Sequence, residues 1–103
     1  MALKTMQGLT PTITVKLPNS IDLTEAAHVY VSFKQGGIVR EITDGIDVAA
    51  HQVDIYLTQA DTLAFCVGSV ELQINWTYSS GQRGATRPVN ISVASNHLKE
   101  VLP

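Results

Sequence analysis

Cysteine occurs once in this sequence, at Cys66, so neither an internal disulfide nor a cysteine-based metal site can be built. Charge is also scarce. Charged residues make up 16% of the chain, where roughly 25% is usual. The net charge of −2 leaves no basic surplus to neutralise phosphates, which argues against a nucleic-acid partner. No run reaches the roughly 18 apolar residues of a membrane span. The opening stretch MALKTMQGLTPTITV lacks the continuous apolar centre of a signal peptide. The expectation is a chain made and folded in a cytoplasm, with no membrane partner.

What is present is apolar and regularly spaced. Hydrophobic residues are 45% of the 103, a composition opposite to that of disordered chains. That length predicts one domain, 1–103, able to bury about 60–70% of the surface its unfolded form exposes. Alternation with period two recurs along it. In PTITVKL, Ile13, Val15 and Leu17 share one side. In HVYVSFKQ, Val29, Val31 and Phe33 point inward, and Tyr30, Ser32 and Lys34 outward. Gly36-Gly37 then supplies a tight hairpin before IVREIT. Asp44-Gly45 marks another turn, followed by a short strand at IDV and then QVDIYL, with Val53, Ile55 and Leu57 inward.

LTQADTLAF breaks the beat. Thr58 as N-cap with Asp61 three residues on predicts a short helical turn near 58–65, crossing between sheets. The longest alternation follows in VELQINWTY, then the polar turn SSGQRG, then ATRPVNISVA with Val89, Ile91 and Val93 inward. Pro88 cannot donate to a ladder and belongs at a strand start, an edge or a bulge. SNHLKEVLP could form a short C-terminal helix capped by Ser95 or Asn96. About seven strands with turns every 8–12 residues predict an all-β, antiparallel two-sheet sandwich. The 58–65 corner, with Asp61, Leu63 and Phe65, gives it an immunoglobulin-like cast, without the tyrosine of a tyrosine corner.

No catalytic constellation stands out. His28, His51 and His97 match no metal-ligand spacing and read as solvated single residues. Asp44 and Asp47 flank a turn and lack the further oxygens of a calcium loop. There is no G-x-S-x-G elbow, and GQRG has neither the length nor the Lys of a phosphate loop. NWT at 75–77 and NIS at 90–92 match the glycosylation pattern by chance. Cys66, inside the apolar run LAFCVG, predicts a buried structural thiol. No catalytic residue, cofactor or metal is expected, and the protein reads as a non-enzyme.

The outward row of the longest strand is the unusual feature. Glu71, Gln73, Asn75 and Thr77 oppose Val70, Leu72, Ile74 and Trp76, and three of the four carry no charge. Neutral hydrogen-bonding groups lose less than charges when water is removed. With Tyr30 and Tyr56, also outward by parity, they form a candidate interaction face. An alternative is a carbohydrate-binding sandwich, which requires two or more exposed aromatics on one side. Trp76 shares the parity of Ile74 and reads as core.

The stretches TPTITVKLPNSIDLTEAAHVYVSFKQGG, VDIYLTQADTLAF and GSVELQINWTYSSGQRGATRPVNISV together resemble small prophage-encoded proteins of Firmicutes. The similarity is to the N-terminal domain of baseplate upper proteins and related tail-associated modules, from about Thr10 to Val93. Its marks are LTQ before a short corner and QINW before a Gly-containing polar turn. The resemblance implies a structural component that packs against other phage tail or baseplate proteins, homo-oligomeric, with no active-site residues to transfer. It also implies assembly in the host bacterial cytoplasm and residence in the virion tail. In baseplate upper proteins further chain follows this domain. The present sequence stops at Pro103, so a free-standing adaptor is the expectation.

Overall fold

The periodic apolar rows close into two facing sheets. The computed structural model describes residues 3–103. Its strands are β1 (Leu3–Met6), β2 (Thr12–Lys16), β3 (Ala26–Gln35), β4 (Ile38–Ile42), β5 (Ile46–Ala49), β6 (Gln52–Tyr56), β7 (Gly68–Tyr78), β8 (Arg83–Ala85) and β9 (Val89–Ala94). A 3-10 turn, Leu23–Glu25, precedes β3, and one short helix, α1 (Gln59–Leu63), lies between β6 and β7. A six-stranded sheet runs β1-β9-β7-β3-β4, with β8 also paired to β7. A three-stranded sheet runs β2-β6-β5. Side chains that alternate along each strand bury one face against the opposite sheet. Ile13, Val15, Val53 and Ile55 therefore meet Val31, Phe33, Val70, Leu72, Ile74, Ile91 and Val93 in one core. Each contributes about 1.5–3 kcal/mol by leaving water.

The fold is an all-β sandwich, and its strand order matches the immunoglobulin-like arrangement. The middle strand, β7, lies between β3 and β9, and β2-β6-β5 covers them. The crossing between sheets is the corner that follows β6. Thr58 Oγ1 accepts from the Asp61 N–H at 3.1 Å and the Asp61 carboxylate accepts from the Thr58 N–H at 2.9 Å, a capping box. Phe65 then packs on Phe33, ring centroids 5.2 Å apart.

Two short strands add to the seven expected. β1 pairs β9 in parallel, the one parallel pair of the described ladders, and β8 continues β7's hairpin. Between β8 and β9, Gln73 and Ile74 of β7 face three residues, Thr86 to Pro88. That extra residue is a β-bulge, the exception that admits a proline.

Three expectations are corrected. Residues 95–103 hold no helix. The Asn96 amide instead donates to the Gln7 carbonyl and accepts from the Leu98 N–H, and Leu98, Val101 and Leu102 stay exposed. A short helix with no apolar face buried is not self-sustaining. Cys66 is exposed, because Phe65 takes the core position at the corner and Cys66 turns to the adjoining cleft. His51 is half-buried, and its Nδ1 bonds the Ile21 carbonyl at 2.6 Å rather than water alone.

Candidate interaction face

Register decides which outward side chains become neighbours. Across β3 and β7, His28 faces Thr77, Tyr30 faces Asn75, Ser32 faces Gln73 and Lys34 faces Glu71. Glu41 of β4 extends the Ser32 row, and Arg83 of β8 stands opposite Thr77. Residues directly opposite on adjacent strands lie with side chains about 5 Å apart. The result is a polar face on the outside of the six-stranded sheet. Its centre is a depression of about 300 Å³ lined by Tyr30, Ser32, Val39, Glu41, Asn75, Thr77 and Arg83.

Five of the six predicted face residues thus share one surface. Tyr56 does not. It pairs with Thr12 and lies on the outside of the three-stranded sheet. Parity says that a side chain points outward but not from which sheet, so Tyr30 and Tyr56 look equivalent in the sequence. Around Tyr56 the surroundings are acidic: Asp47 faces Asp54 across β5 and β6. Thr14 Oγ1 and Gln52 Nε2 donate to the Asp54 carboxylate at 2.7 and 3.1 Å. Hydrogen bonding to Asp47, then that carboxylate's charge, raises the Tyr56 hydroxyl above its ordinary value near 10.

Part of the uncharged row serves the domain itself. Gln73 Nε2 donates to the Thr86 carbonyl at 2.9 Å, closing the bulge. Asn75 Oδ1 accepts from Arg83 Nη2 at 3.0 Å, and Ser32 Oγ donates to the Gln73 carbonyl at 3.4 Å. Tyr30 is 40% exposed, its ring 6.2 Å from that of His28. Val39, Glu41 and Arg83 escaped the sequence reading. Val39 and Glu41 share a parity in IVREIT, but only the pairing of β4 with β3 brings them beside Ser32 and Lys34.

The depression offers one phenol, Tyr30, one carboxylate, Glu41, one guanidinium, Arg83, and several neutral donors and acceptors. Among the described residues, no three His, Cys, Asp or Glu side chains are placed to hold a metal ion. No helix among them is long and apolar enough to cross a membrane. No protein-family model matches the chain, and no curated protein matches it.

Proposed function

We propose that the protein is a non-enzymatic assembly module that docks on other proteins through the outer face of its six-stranded sheet. The observation that carries this reading is Tyr30. It stands exposed beside the neutral hydrogen-bonding side chains of Asn75 and Thr77 on β7 and Ser32 on its own strand, with Val39 and Glu41 of β4 and Arg83 of β8 around them. Tyrosine brings contact area with a polar tip and loses little conformational freedom. Neutral neighbours lower the cost of excluding water, as in the low-charge centre of an interface.

The narrower reading is a tail or baseplate component of a phage or prophage, formed in the host cytoplasm and carried into the virion. The LTQ and QINW stretches support it by resemblance. Its partners are then other tail subunits and further copies of the chain. The carbohydrate-binding alternative calls for clustered exposed aromatics. Trp76 is 3% exposed, and Tyr30 and Tyr56 lie on opposite sheets, so it is the weaker reading.

The test replaces side chains that hold nothing inside the domain. Tyr30→Arg should abolish co-sedimentation with the proteins encoded beside it, expressed together, while the melting temperature stays near wild type. Co-sedimentation undiminished in that variant would reject the outer face as the docking surface.

A further inference from the structure

We propose that β4 is a pairing edge: two copies of this chain join antiparallel through it, about a two-fold axis at Val39. The argument starts from how the other edges are kept apart. β1 and β5 have four residues each, one carrying Lys4 and the other Asp47. β2 carries Lys16 and is bracketed by Pro11 and Pro18. Short length, lysine and proline are the usual guards of a sheet edge. β4, with the sequence IVREI, has neither lysine nor proline; its charges, Arg40 and Glu41, are adjacent and of opposite sign, and Ile38 and Val39 are 61% and 62% exposed.

The hairpin fixes which backbone groups are free. Gly36 and Gly37, at φ 59° and 83°, form a two-residue turn between the paired Gln35 and Ile38. Such a turn aims the Ile38 N–H at the Gln35 carbonyl. Bonding direction alternates along an antiparallel strand, so Arg40 and Ile42 also bond β3. Val39 and Glu41 therefore turn their N–H and C=O groups outward.

Strand length and charge then select the register: an axis at Ile38 or at Ile42 would pair only that one residue of β4 with β4 of the other copy. A two-fold axis at Arg40 would set two guanidiniums opposite each other, and one at Glu41 would set two carboxylates opposite; both are unfavourable. An axis at Val39 bonds the Val39 N–H of each copy to the Val39 carbonyl of the other. It sets Ile38 opposite Arg40 and Gly37 opposite Glu41, with no like charges facing. This self-complementarity is what an isologous dimer requires, and it identifies the occupant as a second copy. On the inner side, the second copy's Ile38 comes to the mouth of a cleft of about 380 Å³, lined by Phe33, Ile38, Phe65 and Val67. The contact is small, so the dimer is weak and concentration-dependent. Val39 also lines the outer-face depression, so the two readings are separated by Tyr30→Arg, which should leave this self-association intact, and by the position-specific cross-link.

The experiment combines sedimentation velocity over a concentration series with cross-linking in a Cys66→Ser background. The wild type should shift from monomer to dimer as concentration rises. Val39→Pro removes an N–H that β3 does not use, as an edge strand tolerates; it should stay monomeric and folded. Val39→Lys, which sets two ammoniums opposite, should do the same if the proline disturbs the strand. Val39→Cys should form a reducible covalent dimer, since the paired Cα atoms lie about 5.5 Å apart, within disulfide reach. Glu41→Cys should not, because its two copies are offset by four residues, about 13 Å. A wild type monomeric at every concentration, a dimer that survives both Val39 substitutions, or equal cross-linking at position 41 would each overturn the proposal.

Discussion

Gln35 holds the backbone of Cys66 with both ends of its amide: Nε2 donates to the Cys66 carbonyl and Oε1 accepts from its N–H, each at 2.7 Å. A side chain at the end of β3 thereby treats one residue of the corner as a neighbouring strand would. Gln59 does the same to Leu102, at 3.0 and 2.8 Å. Gln7 adds a third tie, donating to the Phe65 carbonyl at 2.7 Å. At neutral pH a carboxamide offers a donor and an acceptor side by side, whereas Lys donates alone and ionised Glu accepts alone. These ties give the scarcity of charge a structural use.

Breaking the Gln35 tie should loosen the corner. Gln35→Ala removes both of these hydrogen bonds and a longer one, 3.5 Å, to the Ser69 carbonyl, and is expected to cost about 1–2 kcal/mol in urea unfolding. Gln35→Glu keeps the acceptor and turns a carboxylate toward the Cys66 carbonyl. Its deficit should be larger at neutral pH and shrink as pH falls below about 4.3, where the protonated acid donates again. A glutamate variant whose deficit is flat across that range would show that the donor half of the tie contributes nothing.

The sandwich was legible because its core strands alternate without interruption. Val70, Leu72, Ile74 and Trp76 announce both β7 and its buried face, and the Thr58–Asp61 spacing announces the corner. β1 was not legible. It owes its existence to a parallel pairing of Leu3–Met6 with Ile91–Ala94 from the far end of the chain, which no local pattern encodes. β8 was hidden for another reason: Arg83, Gly84 and Ala85 bring no large apolar side chain. At the C-terminus, Asn96 looked like a helix cap, and its side chain does accept from Leu98, yet its amide also serves Gln7. Of the candidate face, the outward parity of Tyr30 and of 71–77 was readable. Which strands flank them was not, and that assigned Tyr56 to the wrong companions.

Gly84 is required by its neighbour, not by its own backbone. A Cβ there would come within 2.5 and 2.6 Å of Trp76 Cε2 and Cζ2. The indole cannot yield cheaply, being buried and bonded through Nε1 to the Tyr78 hydroxyl at 3.1 Å. Gly84→Ala should therefore cost about 1–3 kcal/mol by overpacking. It should also shift the emission of Trp76, the single tryptophan. Adding Trp76→Phe should recover part of the alanine penalty in a double-mutant cycle. Strict additivity would mean that the two residues do not press on each other.

Tyr56 should ionise later than an ordinary tyrosine. Hydrogen bonding to Asp47 leads its causes, followed by the charge of Asp47, desolvation and the charge of Asp54. All of them favour the protonated hydroxyl, so the folded value lies above the unfolded one. The stabilisation is then complete below pH about 10 and is lost as pH rises through the folded value. Spectrophotometric titration, with Tyr56→Phe as the difference reference, should show this phenol titrating above the usual position. Asp47→Asn should bring it back. A Tyr56 that titrates normally while Asp47 is present would refute the assignment.

Thr86 carries the ladder across the bulge with its side chain. Its N–H donates to the Ile74 carbonyl at 2.8 Å, and its Oγ1 accepts the Ile74 N–H at 3.1 Å. Its own carbonyl, which would take that N–H in a regular ladder, is occupied by the Gln73 amide. Thr86→Val keeps the shape but removes the acceptor, leaving the Ile74 N–H without a partner in the middle of β7. Such an orphan costs about 1–3 kcal/mol. Thr86→Ser retains the oxygen and should lose less. Amide hydrogen exchange separates this account from a general loosening: the Ile74 amide should exchange faster in the valine variant relative to Leu72, whose strand pairing with Val89 is untouched. Equal acceleration at both amides would mean that the bulge hydroxyl does not hold Ile74 in particular.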